Sequence, residues 1–255
     1  MRGVMKIGGS VVGQARPCWL DELTDRLAVD DRVVVVHGGG RLISQELGRL
    51  GEPVTFIEGQ RVTTPLALEV VLGVLKGRVN GELTAYLDQR GVPAIGISGI
   101  DRGLLTARPR LSELGRVGTV ETVHPGLIEG LWSLGLVPVV APLASDGRGG
   151  ILNVNGDTAA GALAGALGAD YLVFYTDTGG IRQKVNDPET RVARLTAAEG
   201  LAWIDQGRAS EGMIPKIRSG VAALTQGVRR VVIGGYAAGS GTELVGEGGD
   251  AGGGR

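Results

Sequence analysis

Cysteine and histidine are scarce in this chain, and each scarcity narrows its chemistry. A single cysteine, Cys18, excludes an internal disulfide framework and a multi-thiolate zinc or iron–sulfur centre, and it suits a reducing compartment. Two histidines, His37 and His124, are too few for a His-rich metal centre, so no metal-ligating residue is expected. Charge of one sign is also missing: 26 Lys and Arg face 27 Asp and Glu, a formal net charge of -1. Without a basic surplus there is nothing to draw in a phosphate backbone, and nucleic acid is not an expected partner. No run of about 20 apolar residues occurs, and the opening MRGVMKIGGSVVGQARP has no signal-peptide core. No membrane association and a cytoplasmic location are therefore expected.

What is present is an ordinary globular composition, 43% hydrophobic and 21% charged, with one unusual feature. Glycine makes up 46 of 255 residues, against an average share of about 7%. Such enrichment without a collagen period points to many tight turns, or to backbone that lies close to a ligand. At about 150 residues per domain the length suits one large domain or two joined lobes.

Short apolar runs rich in Val and Ile recur at Gly3–Ile7, Val33–Val36, Ala94–Ile97, Val137–Val140, Tyr171–Tyr175 and Arg230–Ile233. Their lack of polar alternation predicts strands buried on both faces of a mostly parallel sheet. Helical spacing lies between them. Leu20, Leu23 and Leu27 form one stripe, Ile43 and Leu47 another, and Thr64-Pro65 is a cap and first turn for a helix running towards Leu87. The order predicts a three-layer α/β/α sandwich around a mainly parallel open sheet. Periodicity fails from Asp101 to Thr122, which predicts an excursion with a possible hairpin, and again from Gln183 to Arg194. The best break between lobes is SDGRGG near 145–150, giving one domain with lobes of about 1–148 and 149–245 and a tail at 246–255. The spacing of Gly161 and Gly165 predicts close helix-to-sheet packing, and Cys18 reads as a packing residue.

In open α/β sheets ligands sit beyond the carboxyl ends of the strands. Three such junctions are glycine-rich: Lys6-Ile7-Gly8-Gly9-Ser10, His37-Gly38-Gly39-Gly40 and Asp177-Thr178-Gly179-Gly180. Glycines there let amide groups approach an anion, and a following helix adds its positive end. Neither GxxxxGK[ST] nor a G-x-G-x-x-G after a strand is present, so a different phosphate site is required. Lys6 ends a buried strand, where a cation needs an anionic partner, either a structural ion pair or a ligand. Lys216 opens a helix, the unfavourable end for a cation, and reads either as a solvated lysine or as a functional one. Asp157, just after Asn155-Gly156, reads as an N-cap or first-turn acid.

Taken in order, Lys6-Ile7-Gly8-Gly9-Ser10, VVVHGGG at 34–40, Gly59-Gln60-Arg61-Val62-Thr63, NVNGDTAAGAL at 153–163, TDTGGI at 176–181 and EGMIPK at 211–216 resemble the amino-acid kinase family. The branch most similar phosphorylates the γ-carboxylate of N-acetyl-L-glutamate with ATP, a step of arginine biosynthesis. The resemblance implies that Lys6 and Lys216 stabilise the transferring phosphoryl group and that Asp157 orients both. It implies further that Gly39, Gly40, Arg61 and Asn153 hold the acetylated amino acid. Gly8, Gly9, Thr176, Asp177, Gly180, Ile181, Ser210, Gly212 and Met213 are then nucleotide-binding positions, with Mg2+ bound through the phosphates. Thr178-Gly179-Gly180 stands where Val-Pro-Gly is common, which predicts a looser loop. The chain opens directly on its first strand, which in this family predicts a homodimer that arginine does not inhibit. Kinases of acetylaminoadipate, or of aminoadipate or glutamate carried on a protein, are the related alternatives, and a non-catalytic nucleotide or amino-acid sensor is the alternative of another class.

Overall fold

The computed structural model describes residues 1–8, 18–57, 59–184, 187–235 and 240–246. Four consecutive valines make β2 (Arg32–His37) a strand with no polar face, and it pairs in parallel with β1 (Arg2–Ile7) at the sheet's centre. Around this pair lies an eight-stranded sheet. On one side stand β8 (Val137–Ala141) and the edge strand β5 (Ala94–Ser98). On the other stand β11 (Tyr171–Tyr175), β13 (Arg230–Gly234), β14 (Thr242–Val245) and β12 (Arg194–Thr196). Every pairing is parallel except β13 with β14.

The pleat feeds two cores alternately. Val34 and Val36 of β2, with Leu172 and Phe174 of β11, enter the core beneath α5 (Gly126–Ser133), α6 (Gly156–Ala166), α7 (Ala197–Asp205) and α8 (Ile214–Thr225). Val33 and Val35, with Tyr171 and Val173, face the opposite core with α1 (Cys18–Ala28) and α4 (Asn80–Asp88). These are the three layers expected from the alternation of strands and helices. Local signals work where they were read: Thr64 accepts from the Ala67 amide to cap α3 (Pro65–Leu72), and Thr196 with Glu199 closes a capping box on α7, an arrangement worth about 1 kcal/mol.

The excursion after Asp101 is the antiparallel pair β6 (Leu105–Pro109) and β7 (Gly118–Val123), part of a small sheet with β9 (Leu143–Ser145) and β10 (Ile151–Asn153). Residues 146–150 form the turn between β9 and β10, with the Asp146 amide donating to the Gly150 carbonyl. A two-stranded hairpin, β3 (Phe56–Ile57) and β4 (Gln60–Arg61), stands beside them, close to α2 (Gly40–Arg49) through Arg61.

Three expectations need correction. The helix begun at Pro65 reaches Asp88, but Gly73–Val79 between α3 and α4 is π-helical. Gly161 and Gly165 do not face the sheet. They let α6 lie against α8, where a Cβ on Gly161 would stand 2.9 Å from the Ser219 carbonyl and one on Gly165 would strike Gln226. Cys18 is exposed at the first position of α1, because the stripe of Trp19, Leu20 and Leu23 turns it away from the core.

Candidate active site

Parallel register brings the ends of β1 and β2 level, with Lys6 opposite Val36 and Ile7 opposite His37. The Gly38 amide donates to the Ile7 carbonyl, and Gly39 then stands at the N-cap of α2 without a side-chain cap. The first-turn amides of α2 thus lack intrahelical partners and open beside Lys6. On the facing side Asn155 caps α6, its Oδ1 accepting from the Asp157 and Thr158 amides. That cap assigns the N-cap role to Asn155 and leaves the Asp157 carboxylate free to turn inward.

The carboxylate lies between two ammonium groups. Lys6 Nζ is 2.8 Å from Asp157 Oδ1, and Lys216 Nζ donates to Asp157 Oδ2 at 3.1 Å and to the Gly212 carbonyl at 3.0 Å. Lys6 and Asp157 are almost fully buried, 7% and 4% exposed. Burial alone would raise the Asp157 pKa, but the two lysines outweigh it and hold the carboxyl below the usual range. Burial pulls the Lys216 pKa down, Asp157 opposes this, and Lys6 lowers it further. Asp157 supplies the counter-charge that offsets a lysine at the unfavourable end of α8, and two cations against one carboxylate leave the cluster net positive.

Lys6, Gly39, Gly40, Arg61, Asn153 and Asp157 line one cavity of about 240 Å3, with Ile43, Leu75, Val117, Pro142 and Val154 as its apolar wall. Arg61, 7% exposed, is held by Nη2, which donates to the Gly40 carbonyl and to Ser44 Oγ, both at 2.8 Å, and by the Phe56 ring 4.8 Å from its guanidinium carbon. Its Nη1 is buried with no hydrogen-bond partner among the described residues. A buried donor in that state is costly unless an acceptor reaches it. Asn153 Nδ2 donates to Thr63 Oγ1 at 3.1 Å, and Thr63 in turn donates to the Arg61 carbonyl at 2.9 Å.

The nucleotide positions are more dispersed. Gly180, Ile181, Ser210 and Met213 meet around a void of about 30 Å3, room for roughly one water. Thr176, Asp177 and Gly212 do not line it. Thr176 and Asp177 follow β11, with Asp177 within electrostatic reach of Lys216, and Gly212 meets the same lysine through its carbonyl. The Ile181 amide is tied to Thr242 Oγ1 at 2.8 Å. The Gly8 amide donates to the Tyr175 carbonyl, so Gly8 offers close approach rather than a free donor. Gly9 lies outside the described residues.

Several residues escaped the sequence reading. Ser44 follows Gly40 by one helical turn, a spacing that could have revealed it as the second Arg61 anchor. Phe56 carries no signal in its surroundings. His37 is fully buried beneath the glycine run, with Asn80 Nδ2 3.1 Å from Nε2 and 2.9 Å from the Val139 carbonyl. Asn80 donates there, so Nε2 accepts and Nδ1 donates to the Gly38 carbonyl at 3.0 Å. Burial lowers the His37 pKa to about 4, the Gly38 bond opposing and the Lys6 charge assisting.

Among the described residues no cluster of three or more His, Cys, Asp or Glu is placed to hold a metal ion, and no helix is long and apolar enough to cross a membrane. Known proteins resemble the chain along most of its length. An acetylglutamate kinase of Methanopyrus kandleri is 41% identical over 237 residues, covering 90% of this chain and 93% of that protein. One of Geobacillus kaustophilus is 42% identical over 231 residues, covering 90% and 88%. The crystal structure of a Streptococcus mutans UA159 protein superposes with a TM-score of 0.87 at 29% identity, over 96% of this chain and 98% of that one. The Amino acid kinase family matches residues 1–235, a span that contains both lysines, Asp157 and the cavity that Lys6 and Asp157 line, and the chain belongs to that family.

Proposed function

We propose that the protein transfers the γ-phosphoryl group of ATP to the γ-carboxylate of N-acetyl-L-glutamate, forming N-acetyl-glutamyl 5-phosphate for arginine biosynthesis. The observation that carries the reading is the Lys6–Asp157–Lys216 cluster at one end of a cavity whose other wall presents an unpartnered Arg61 donor. Relatives named acetylglutamate kinase at about 40% identity along most of the chain support it.

The acceptor carboxylate, with an ordinary pKa near 4.3, is ionised at neutral pH, so no general base is needed. One of its oxygens forms a bond to the γ-phosphorus while the bond from that phosphorus to the bridging β-oxygen breaks, and ADP leaves. Lys6 and Lys216 meet the charge on the equatorial oxygens from opposite sides, and Asp157 keeps both ammonium groups aimed. Arg61 Nη1 takes the α-carboxylate, Asn153 the acetamido group, and the Gly39 and Gly40 amides the acceptor end. The only carboxylate in the cluster is already shared by two lysines, so Mg2+ fits here through phosphate oxygens and water, where it screens phosphate charge. Binding of adenosine requires the 176–181 and 208–213 segments to part. We place the protein in the cytoplasm as a homodimer. The dimer reading is supported by β5, which is unpaired on one side among the described residues, and by Gly73, Gly77 and Gly81 on the adjoining helix, where a Cβ would meet no described residue within 4 Å.

The test is ADP release with Mg-ATP and N-acetyl-L-glutamate, N-acetyl-L-aminoadipate or glutamate, with hydroxylamine trapping of the acyl phosphate. Turnover confined to acetylglutamate is expected, with kcat about 10²- to 10³-fold lower in Lys6→Ala. One methylene is worth only about 1–3 kcal/mol, so comparable turnover on the longer analogue redefines the substrate as both acids. No trapped product from folded protein overturns the assignment.

A further inference from the structure

Gly39 is buried in the wall of the substrate cavity, and its amide donates to no described residue. A buried N–H in that state is costly unless an acceptor reaches it. Its direction also has to be fixed. The peptide plane between two glycines turns over easily, because no Cβ restricts the rotations on either side of it. Leu75 and Val79 of the π-helical segment pack against Gly39, where a Cβ would stand 2.6 Å from Leu75 Cδ2. Apolar contact of that kind places the chain but does not aim an N–H.

The aim comes from a relay of polar groups. Asn80, which follows the π-helical segment directly, has Nδ2 at 3.2 Å from the Ile97 carbonyl and 2.9 Å from the Val139 carbonyl, so its nitrogen and not its oxygen faces His37. Gly96 leaves room for this amide, since a Cβ there would strike Asn80 Oδ1. His37 Nε2, 3.1 Å from Nδ2, is therefore the acceptor, and the ring proton sits on Nδ1, 3.0 Å from the Gly38 carbonyl. Burial keeps the ring uncharged at neutral pH. The Gly38 carbonyl shares its peptide plane with the Gly39 amide, and in a trans peptide the two point opposite ways. Drawing the Gly38 oxygen onto the imidazole thus turns the Gly39 N–H away from it.

We propose that His37 is a positioning residue, which through the Gly38 carbonyl aims the Gly39 amide at the acceptor carboxylate, with Asn80 selecting the tautomer that makes this possible. The inference rests on the kinase reading for the identity of that carboxylate. His37 touches no reactant and moves no proton. Loss of its bond lets the Gly38–Gly39 plane rotate and costs the acid a donor, while the nucleotide positions on 176–181 and 208–213 follow other elements and keep their geometry.

The experiment combines steady-state kinetics for both substrates with 15N NMR of the imidazoles, in wild type, His37→Leu and His37→Asn, each checked by thermal unfolding. Asn places an amide N–H where Nδ1 stands and still reaches the Gly38 carbonyl, whereas Leu has no donor. Two-bond 15N–1H correlations of wild type are expected to show His37, assigned by its loss in His37→Asn, as the Nδ1–H tautomer. KM for acetylglutamate is expected to rise about tenfold in His37→Leu, KM for ATP to stay within about twofold, and His37→Asn to recover most of the loss. With an active wild type, the inference alone is overturned by an Nε2–H tautomer, by equal rises in both KM values, by no recovery in His37→Asn, or by a lower unfolding temperature at unmoved KM. Wild type without turnover on acetylglutamate overturns the kinase reading, and this inference with it. If His37→Leu does not fold, His37→Gln replaces it, since its amide lies at the Nε2 position and reaches Asn80 but not the Gly38 carbonyl.

Discussion

At the scale of single residues, Asp157 matters through what it holds rather than through proton transfer. Asp157→Asn leaves two buried ammonium groups without a counter-charge, and breaking a buried pair in this way costs about 3–5 kcal/mol. The same change removes the group that opposes burial at Lys216, so its pKa falls further. We expect a lower unfolding temperature together with an alkaline limb of the kcat profile displaced to lower pH; an unmoved limb would separate Asp157 from Lys216. His37 gives a second expectation. The unfolded chain takes up a proton at this position below about pH 6.5 and the folded chain only below about 4, so stability is intact above the higher value and is lost as pH falls between them. Over that whole window the loss is about 3 kcal/mol. NMR titration of a chain with only two histidines reads the imidazole directly, and urea unfolding of wild type against His37→Gln should show the stability gap narrowing as pH falls.

At the scale of elements, the α6–α8 contact is the joint that brings Asp157 and Lys216 within reach. Gly161 permits it, since even a Cβ there stands 2.9 Å from backbone of α8. Gly161→Leu should destabilise by about 1–3 kcal/mol through overpacking and should lower kcat as well, because the two helices carry opposite members of the charge cluster. Thermal unfolding with steady-state kinetics checks both effects, and a variant with reduced stability but native kcat would show that the joint tolerates displacement. This is also where sequence reading failed. An i, i+4 glycine pair announces that something lies close, but α6 has the sheet on one side and α8 on another. Which of the two fills the gap depends on a helix some fifty residues further on. The π-helical segment is a similar case: Val74, Leu75 and Val79 look continuous with the flanking helices, and only their packing under Gly39 reveals the change.

For the whole molecule, the dimer reading makes a direct prediction. Each glycine in a helix interior costs about 1 kcal/mol relative to alanine, so three with open space around them weaken an exposed helix unless another surface covers it. Sedimentation velocity should give twice the 26.2 kDa chain mass, and Gly77→Arg should shift it towards the monomer. A wild-type monomer at micromolar concentration would remove the basis for that reading.

The sequence by itself determined six of the eight strands of the large sheet, the order of layers and the identity of the glycine-rich junctions, because four-residue Val and Ile runs and cap signals act locally. It also brought Lys6, Asp157 and Lys216 to notice, each as an ambiguous charge with a structural alternative. Only the tertiary structure decided that ambiguity. Residues 6, 157 and 216 meet because β1 lies at the sheet's centre while α6 and α8 start at the same end of it. The Arg61 donor is left unpaired because Ser44 and Gly40 satisfy Nη2 alone. Long-range geometry of this kind depends on the packing of helices onto a twisted sheet, a property of the assembled chain that no local window contains.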